Sequence, residues 1–181
     1  MEHIRTGIYQ QGARMSDGRP SEGTFEGYKK DEDVPLFSYG VLAGAFNLLF
    51  ALFLLAARVT GKSLPQRIEA RDIALLGMAT HKLSLVGSQD AIASPLRAPF
   101  TELEEKESPK KVEEKPRGEG LRRSVGELLT CQFCLGVWVA SFFTYGFVLL
   151  PRVSRLVAAV FAAITISDFL HQTYKALMKR A

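Results

Sequence analysis

Two cysteines stand three apart in "GELLTCQFCLGVW", residues 126 to 138, where a long apolar run begins. A Cys-x-x-Cys pair can bind a soft metal, cycle between dithiol and disulfide, or pack as two small hydrophobes. Counting helical rise back from Pro151, Cys134 lies about as deep as His171 on the returning segment, with Asp168 one turn deeper. Spacing of i, i+3 puts each pair on one helical face. Cys131, Cys134, Asp168 and His171 are therefore the candidate ligands of a tetrahedral zinc site, the one cofactor the pattern suggests. A single Cys-x-x-Cys is a weak signal. Packing without any cofactor leads, and a redox-active or modified thiol stands beside it, because a helix N-terminus favours the thiolate.

Other polar groups invite weaker readings. Lys82, Asp168 and His171 are ionisable residues within apolar stretches, which makes them candidates for one polar path in a small transporter or transport accessory. For Asp168 and His171, both near the wet end of the chain, reaching the headgroup region is an equal alternative. Glu127 precedes an apolar helix whose positive end it can neutralise, and Arg97 is placed to pair with Glu127 or Asp90. Trp138 and Tyr145 read as lipid or interface aromatics. No GxSxG, HExxH or phosphate-binding glycine loop is present, and of three histidines His3 lies in the N-terminal tail. The balance leans away from an enzyme without deciding the matter.

The elements that must hold these groups are apolar blocks separated by charged stretches. A soluble core spreads its apolar residues periodically, since each element also needs a wet face. The block Leu36 to Ala57 carries no charge and as a helix measures roughly 33 Å, enough to cross a hydrocarbon core of about 30 Å. It follows a mixed-charge segment and lacks a persuasive cleavage site, so it reads as a first transmembrane helix over 34–58 rather than a signal peptide. Residues 1–33, poor in branched apolar side chains, read as a disordered tail in which Tyr9, Phe25 and Tyr28 are scattered aromatics. The block 73–87 is short and holds His81 and Lys82; spanning is favoured over lying at the interface, because a central charge is tolerated when it faces a bundle interior. Asp90 and Ser94 suit helix caps, and Pro95 a first helical turn. Residues 102–123, dense in both signs of charge with two prolines, read as a solvated, disordered insert.

Leu128 to Leu150 and Leu156 to Tyr174 are two further spans joined by "PRVSR", a link so short that they must form an antiparallel hairpin. Gly136, Gly146, Ala140, Ser141, Ala158, Ala159, Ala162 and Ala163 supply small surfaces for close helix approach. The net charge of +4 comes without a basic stripe interleaved with aromatics, which argues against nucleic acid as a partner. With four spans, the side holding both termini and the long loop carries 16 Lys and Arg against 6 on the other. That richer side is expected to be cytoplasmic. If 73–87 lies on the surface instead, only the N-terminus changes sides.

The order of motifs resembles a small bacterial integral membrane protein family known as a domain of unknown function, the 1360 family, which is sporulation-protein-like. The likeness runs over roughly residues 70 to 172, within a membrane domain read as 70–175, and rests on Asp90, Pro95, Leu96, Arg97, Gly126, Glu127, Leu128, Cys131, Cys134, Gly136 and Trp138. It implies a polytopic membrane protein and brings no activity, substrate or cofactor. The first span and the charged insert depart from the family pattern. The expected fold is all-α, an integral membrane helical bundle of three to four transmembrane helices in the cell membrane. Its expected role is as a structural or interaction component, with the lipid bilayer and either a membrane-protein partner or further copies of itself as partners; a thiol or metal-binding protein built on Cys131 and Cys134 is the alternative.

Overall fold

A computed structural model describes residues 36–105 and 111–179. The tail 1–33, including Tyr9, Phe25 and Tyr28, and the middle of the charged insert lie outside them. The elements are helix α1 (Leu36–Val59), α2 (Ala70–Gln89), a 3-10 turn (Ala91–Ala93), α3 (Ser94–Arg97), strands β1 (Thr101–Glu105) and β2 (Glu113–Pro116), then α4 (Gly120–Thr130), α5 (Gln132–Leu149) and α6 (Pro151–Met178).

Among the described residues three helices are long and apolar enough to cross a membrane: α1, α5 and α6, with mean hydropathies of 2.2, 1.5 and 1.8. Their apolar side chains face outward along much of their length, Leu48, Leu52 and Leu55 on α1 and Leu156, Phe169 and Leu170 on α6 among them. Gly61 ends α1: at φ +65° it lets its own N–H reach Arg58 O and the Lys62 N–H reach Ala57 O, closing the last orphan carbonyls of the helix. Pro151, which lacks an N–H to bond, opens α6 directly after α5 and so makes the expected hairpin.

The block with His81 and Lys82 is not among those three, and its place explains its composition. Helix α2 packs against both α5 and α6. Ala79 on α2, Phe143 on α5 and Ala158 on α6 form the fully buried centre, with Leu75, Leu76, Leu83, Val139, Phe147 and Phe161 packed around it. Small residues allow this approach: Ala158 and Ala162 are buried, while Ala159 and Ala163, expected to serve the same end, are exposed. Thr165 of α6 donates its hydroxyl across to the Met78 carbonyl of α2.

Pairings along the helices fix their directions. Asp72 meets Arg155 and Lys82 meets Asp168, so α2 and α6 run parallel. Phe46 meets Trp138 and Phe53 meets Tyr145, so α1 and α5 run parallel. Since α5 and α6 form a hairpin, the four long helices alternate in direction. One end gathers the start of α1, the end of α2, the start of α5 and the end of α6; the described residues between Asp90 and Thr130 pack at that end.

Among the described residues of 102–123, two strands and the start of α4 stand where a disordered insert was expected, and the fold is mostly rather than wholly helical. Strands β1 and β2 pair antiparallel, Thr101 opposite Pro116 and Glu102 opposite Lys115, with a bulge between Leu103 and Glu105. The Val112 N–H bonds to Gln89 O and the Arg117 N–H to Phe100 O, stitching the hairpin to the end of α2 and to the turn after α3. Net charge alone does not prevent folding when the charges have fixed partners, as Arg97 and Glu114 do here.

Candidate functional site

Two polar sites emerge at the capped end, one around Arg97 and one at the cysteines. Arg97 follows Pro95 in the four-residue helix α3 and its side chain is only 1% exposed. Its guanidinium forks onto Glu114 of β2, Nε to Oε2 at 3.0 Å and Nη2 to Oε1 at 2.9 Å, while Nη1 donates to Gly87 O at 2.7 Å and Nη2 to Asp90 O at 3.2 Å. The Ser94 hydroxyl donates to Oε1 and the Thr101 hydroxyl to Oε2, each at 2.7 Å. The carboxylate thus accepts four hydrogen bonds, which is what a buried charge requires. Burial by itself raises the Glu114 pKa, but the donors from Arg97, Ser94 and Thr101, with the Arg97 charge, outweigh it and hold the group down to about 2.

Sequence reasoning placed Arg97 at a site and missed its partner. Glu127 and the Asp90 carboxylate were the expected partners; Arg97 instead takes Glu114 and the backbone carbonyl of Asp90. Glu127 accepts from the Tyr39 hydroxyl of α1 and, at 3.1 Å, from Arg123 one turn back on α4. Ser94 gives its hydroxyl to Glu114, and neither it nor Asp90 caps a helix through its side chain. Only the Pro-Leu-Arg run signalled this cluster, because Glu114 sits in a stretch crowded with carboxylates of similar appearance.

Cys131 and Cys134 are bonded to each other, with Cα atoms 5.3 Å apart. Cys131 is the single extended residue between α4 and α5, and its sulfur accepts the Cys134 N–H at 3.2 Å as the N-cap of α5. Between the two cysteines, Gln132 lies 3.4 Å from the His81 ring of α2.

The expected zinc quartet does not assemble. Among the described residues no group of three or more His, Cys, Asp or Glu is placed to hold a metal ion. Asp168 accepts from the Lys82 ammonium at 2.7 Å, and His171 is exposed near the end of α6. Helical rise fixes the depth of a residue and leaves its rotation about the axis open, so equal depth did not mean contact. Trp138 and Tyr145, expected as lipid or interface aromatics, are half-buried: Trp138 meets Phe46 edge-on at 5.3 Å and Tyr145 stacks on Phe53 at 4.3 Å, joining α5 to α1. Gly136 faces Ser84 of α2, as a small residue at a helix contact should.

At the opposite end a groove of about 570 Å³ lies between α2, α5 and the segment joining α1 to α2, with Asp72, Thr80, Thr144 and Arg155 on its walls. Arg155 bonds Asp72 at 3.0 Å and stands over the Phe147 ring at 5.6 Å.

Comparison with known proteins covers the Arg97 cluster and the cysteines, while Tyr39, Phe46, Phe53 and Asp72 lie outside the matched residues. A family model described as "Protein of unknown function (DUF1360)" matches residues 75–174. "Sporulation protein YjcA" of Bacillus subtilis (strain 168) is 35% identical over 91 residues, covering 49% of this chain and 77% of that protein. No solved structure matches.

Proposed function

This chain belongs to the DUF1360 family, and on that premise we propose that it is a multi-pass protein of the bacterial cell membrane that works by holding a folded polar cap at the cytoplasmic face, where other membrane proteins or further copies of itself dock. The observation that carries this reading is the alternation of helix directions, which brings the start of α1, the Asp90 to Thr130 cap and the end of α6 to one end. Among the described residues that end carries eight Lys and Arg, from Arg97 to Lys179, against six at the other, and a bias of this sign orients membrane proteins with the richer end inside. On this reading α2 crosses as a fourth span, its polar face turned to α6 through Lys82 and Asp168.

A structural role suits the polar groups. Arg97 binds Glu114, Tyr39 binds Glu127 and Lys82 binds Asp168, so these groups are engaged in pairs that tie one element to another. The role named for the Bacillus subtilis relative is not carried over, because α1 lies outside the matched residues.

The test is topological. Full-length protein should stay with the membrane fraction through a carbonate wash. Single cysteines placed at Lys115 and Lys179, in a background lacking Cys131 and Cys134, should be labelled by an impermeant maleimide only after the cells are opened, and one placed at Ser63 in intact cells. Labelling of Lys115 from outside reverses the orientation, and labelling of Ser63 and Lys115 from the same side removes α2 from the membrane.

A further inference from the structure

The bonded cysteines carry an inference that is independent of which way the chain is threaded. Both lie at the junction of α4 and α5, and Cys134 is the more exposed of the two. Cys131 is distinguished electrostatically. Its sulfur receives the Cys134 N–H at 3.2 Å and sits at the N-cap, where the first N–H groups of α5 concentrate positive potential. Negative charge is therefore better supported on Cys131 than on Cys134.

We infer that Cys131 and Cys134 form a reversible dithiol–disulfide site that exchanges electrons with a dithiol reductant, the incoming thiolate entering at Cys134 while Cys131 is the leaving sulfur. The approach side and the leaving group agree: the more exposed cysteine is attacked, and the sulfur whose thiolate is stabilised departs faster. The partner thiolate forms a bond to Cys134 Sγ, and the Sγ–Sγ bond breaks with its electron pair on Cys131. The second thiolate of the partner then attacks the partner sulfur of the mixed disulfide and releases Cys134 as a thiolate. The partner leaves as a disulfide, two electrons have passed to the cysteine pair, and both thiolates take up protons from water.

The site lies at a place where such a change is felt. Cys131 is the one residue separating the two helices, and α4 is tied to α1 through Glu127 and Tyr39 four residues earlier. Gln132, held beside His81, keeps the start of α5 against α2, so the exchanging pair is mounted on a braced helix end.

The experiment uses the wild-type full-length protein in isolated membranes, which avoids any variant that fails to fold. Membranes are oxidised with diamide, cleared of reagent, exposed briefly to limiting glutathione, quenched in acid, and alkylated with N-ethylmaleimide before peptide mapping. Glutathione on Cys134 with maleimide on Cys131 is the expected product, favoured about tenfold over the reverse. Equal adducts, or an excess on Cys131, overturn the order of attack. Two maleimide-labelled thiols in the diamide-oxidised sample without glutathione overturn the site itself, as does a pair that dithiothreitol leaves unreduced without denaturant.

Discussion

Tyr39, in the first turn of α1, gives its hydroxyl to the carboxylate of Glu127, 88 residues later on α4. Arg123 holds the same carboxylate from the other side. The pair ties the one long helix outside the family-matched residues to the cap that those residues build. Tyr39→Phe should therefore weaken the docking of α1 by about 1 kcal/mol, the usual worth of such a bond, or somewhat more for a charged acceptor. Limited proteolysis between α1 and α2 in detergent should speed up accordingly. An unchanged rate would mean that the α1 aromatics alone hold it.

The Arg97 cluster sets a larger effect. Arg97→Met strands the Glu114 carboxylate in a site where its side chain is 6% exposed, and removal of one partner of a buried pair costs about 3–5 kcal/mol. The double variant Arg97→Met, Glu114→Leu should recover part of that loss, since no charge is left unpaired. Thermal unfolding in detergent, read by the exposure of Cys-free reporter positions in the cap, distinguishes the two; equal loss in both variants would remove the ion pair as the cause.

Acid should act through the same carboxylate. Glu114 titrates near 2 in the folded protein, below its ordinary value of 4.5. Its contribution is therefore complete above about pH 4.5 and is lost as pH falls from there towards 2. Glu114→Gln should be less stable than the parent at neutral pH and should show a flatter acid dependence. An identical acid profile in the two proteins would mean that other carboxylates govern it.

Glycine at 126 is demanded by space. A Cβ there would lie 2.5 Å from the Phe100 carbonyl oxygen and 3.1 Å from Pro116 Cα, both backbone atoms of the cap. At Gly87 the close neighbour is the tip of Leu135, at 2.8 Å, which can rotate away. Gly126→Ala should thus cost about 1–3 kcal/mol and Gly87→Ala less, compared by thermal melts of the two variants. Reversed ranking would show that the cap backbone shifts more easily than the leucine.

Much of this architecture could be read from residue order. The length and lack of charge in α1 announced a helix of that extent, and Pro151 announced the turn between α5 and α6. Lys82 suggested a bundle interior; it is half-buried and pairs with Asp168 of α6, whose side chain is 55% exposed. What stayed hidden was non-local. The charge-rich stretch 102–123 looked too polar to fold because its stabilising contacts come from Ser94, Arg97 and the end of α2, and no local pattern in "VEEKP" marks Glu114 as the carboxylate that is buried. Likewise the depth of Asp168 and His171 was legible while their rotation on α6 was not. The cysteine motif was visible, but the choice between metal, disulfide and packing depended on which neighbours came within reach.

The placing of α2 has a consequence for how the chain is made. Ala79 is completely enclosed, yet the residues that enclose it belong to α5 and α6. Some ninety residues separate the end of α2 from the end of α6, which at about 5–20 residues per second leaves the nascent helix waiting roughly 4–18 seconds for both neighbours. During that interval its polar face, with Lys82, has no Asp168 to meet. A ribosome stalled before Gln132 would hold an orphaned helix, open to capture by chaperones or quality-control proteases, whereas release after Asp168 lets it close.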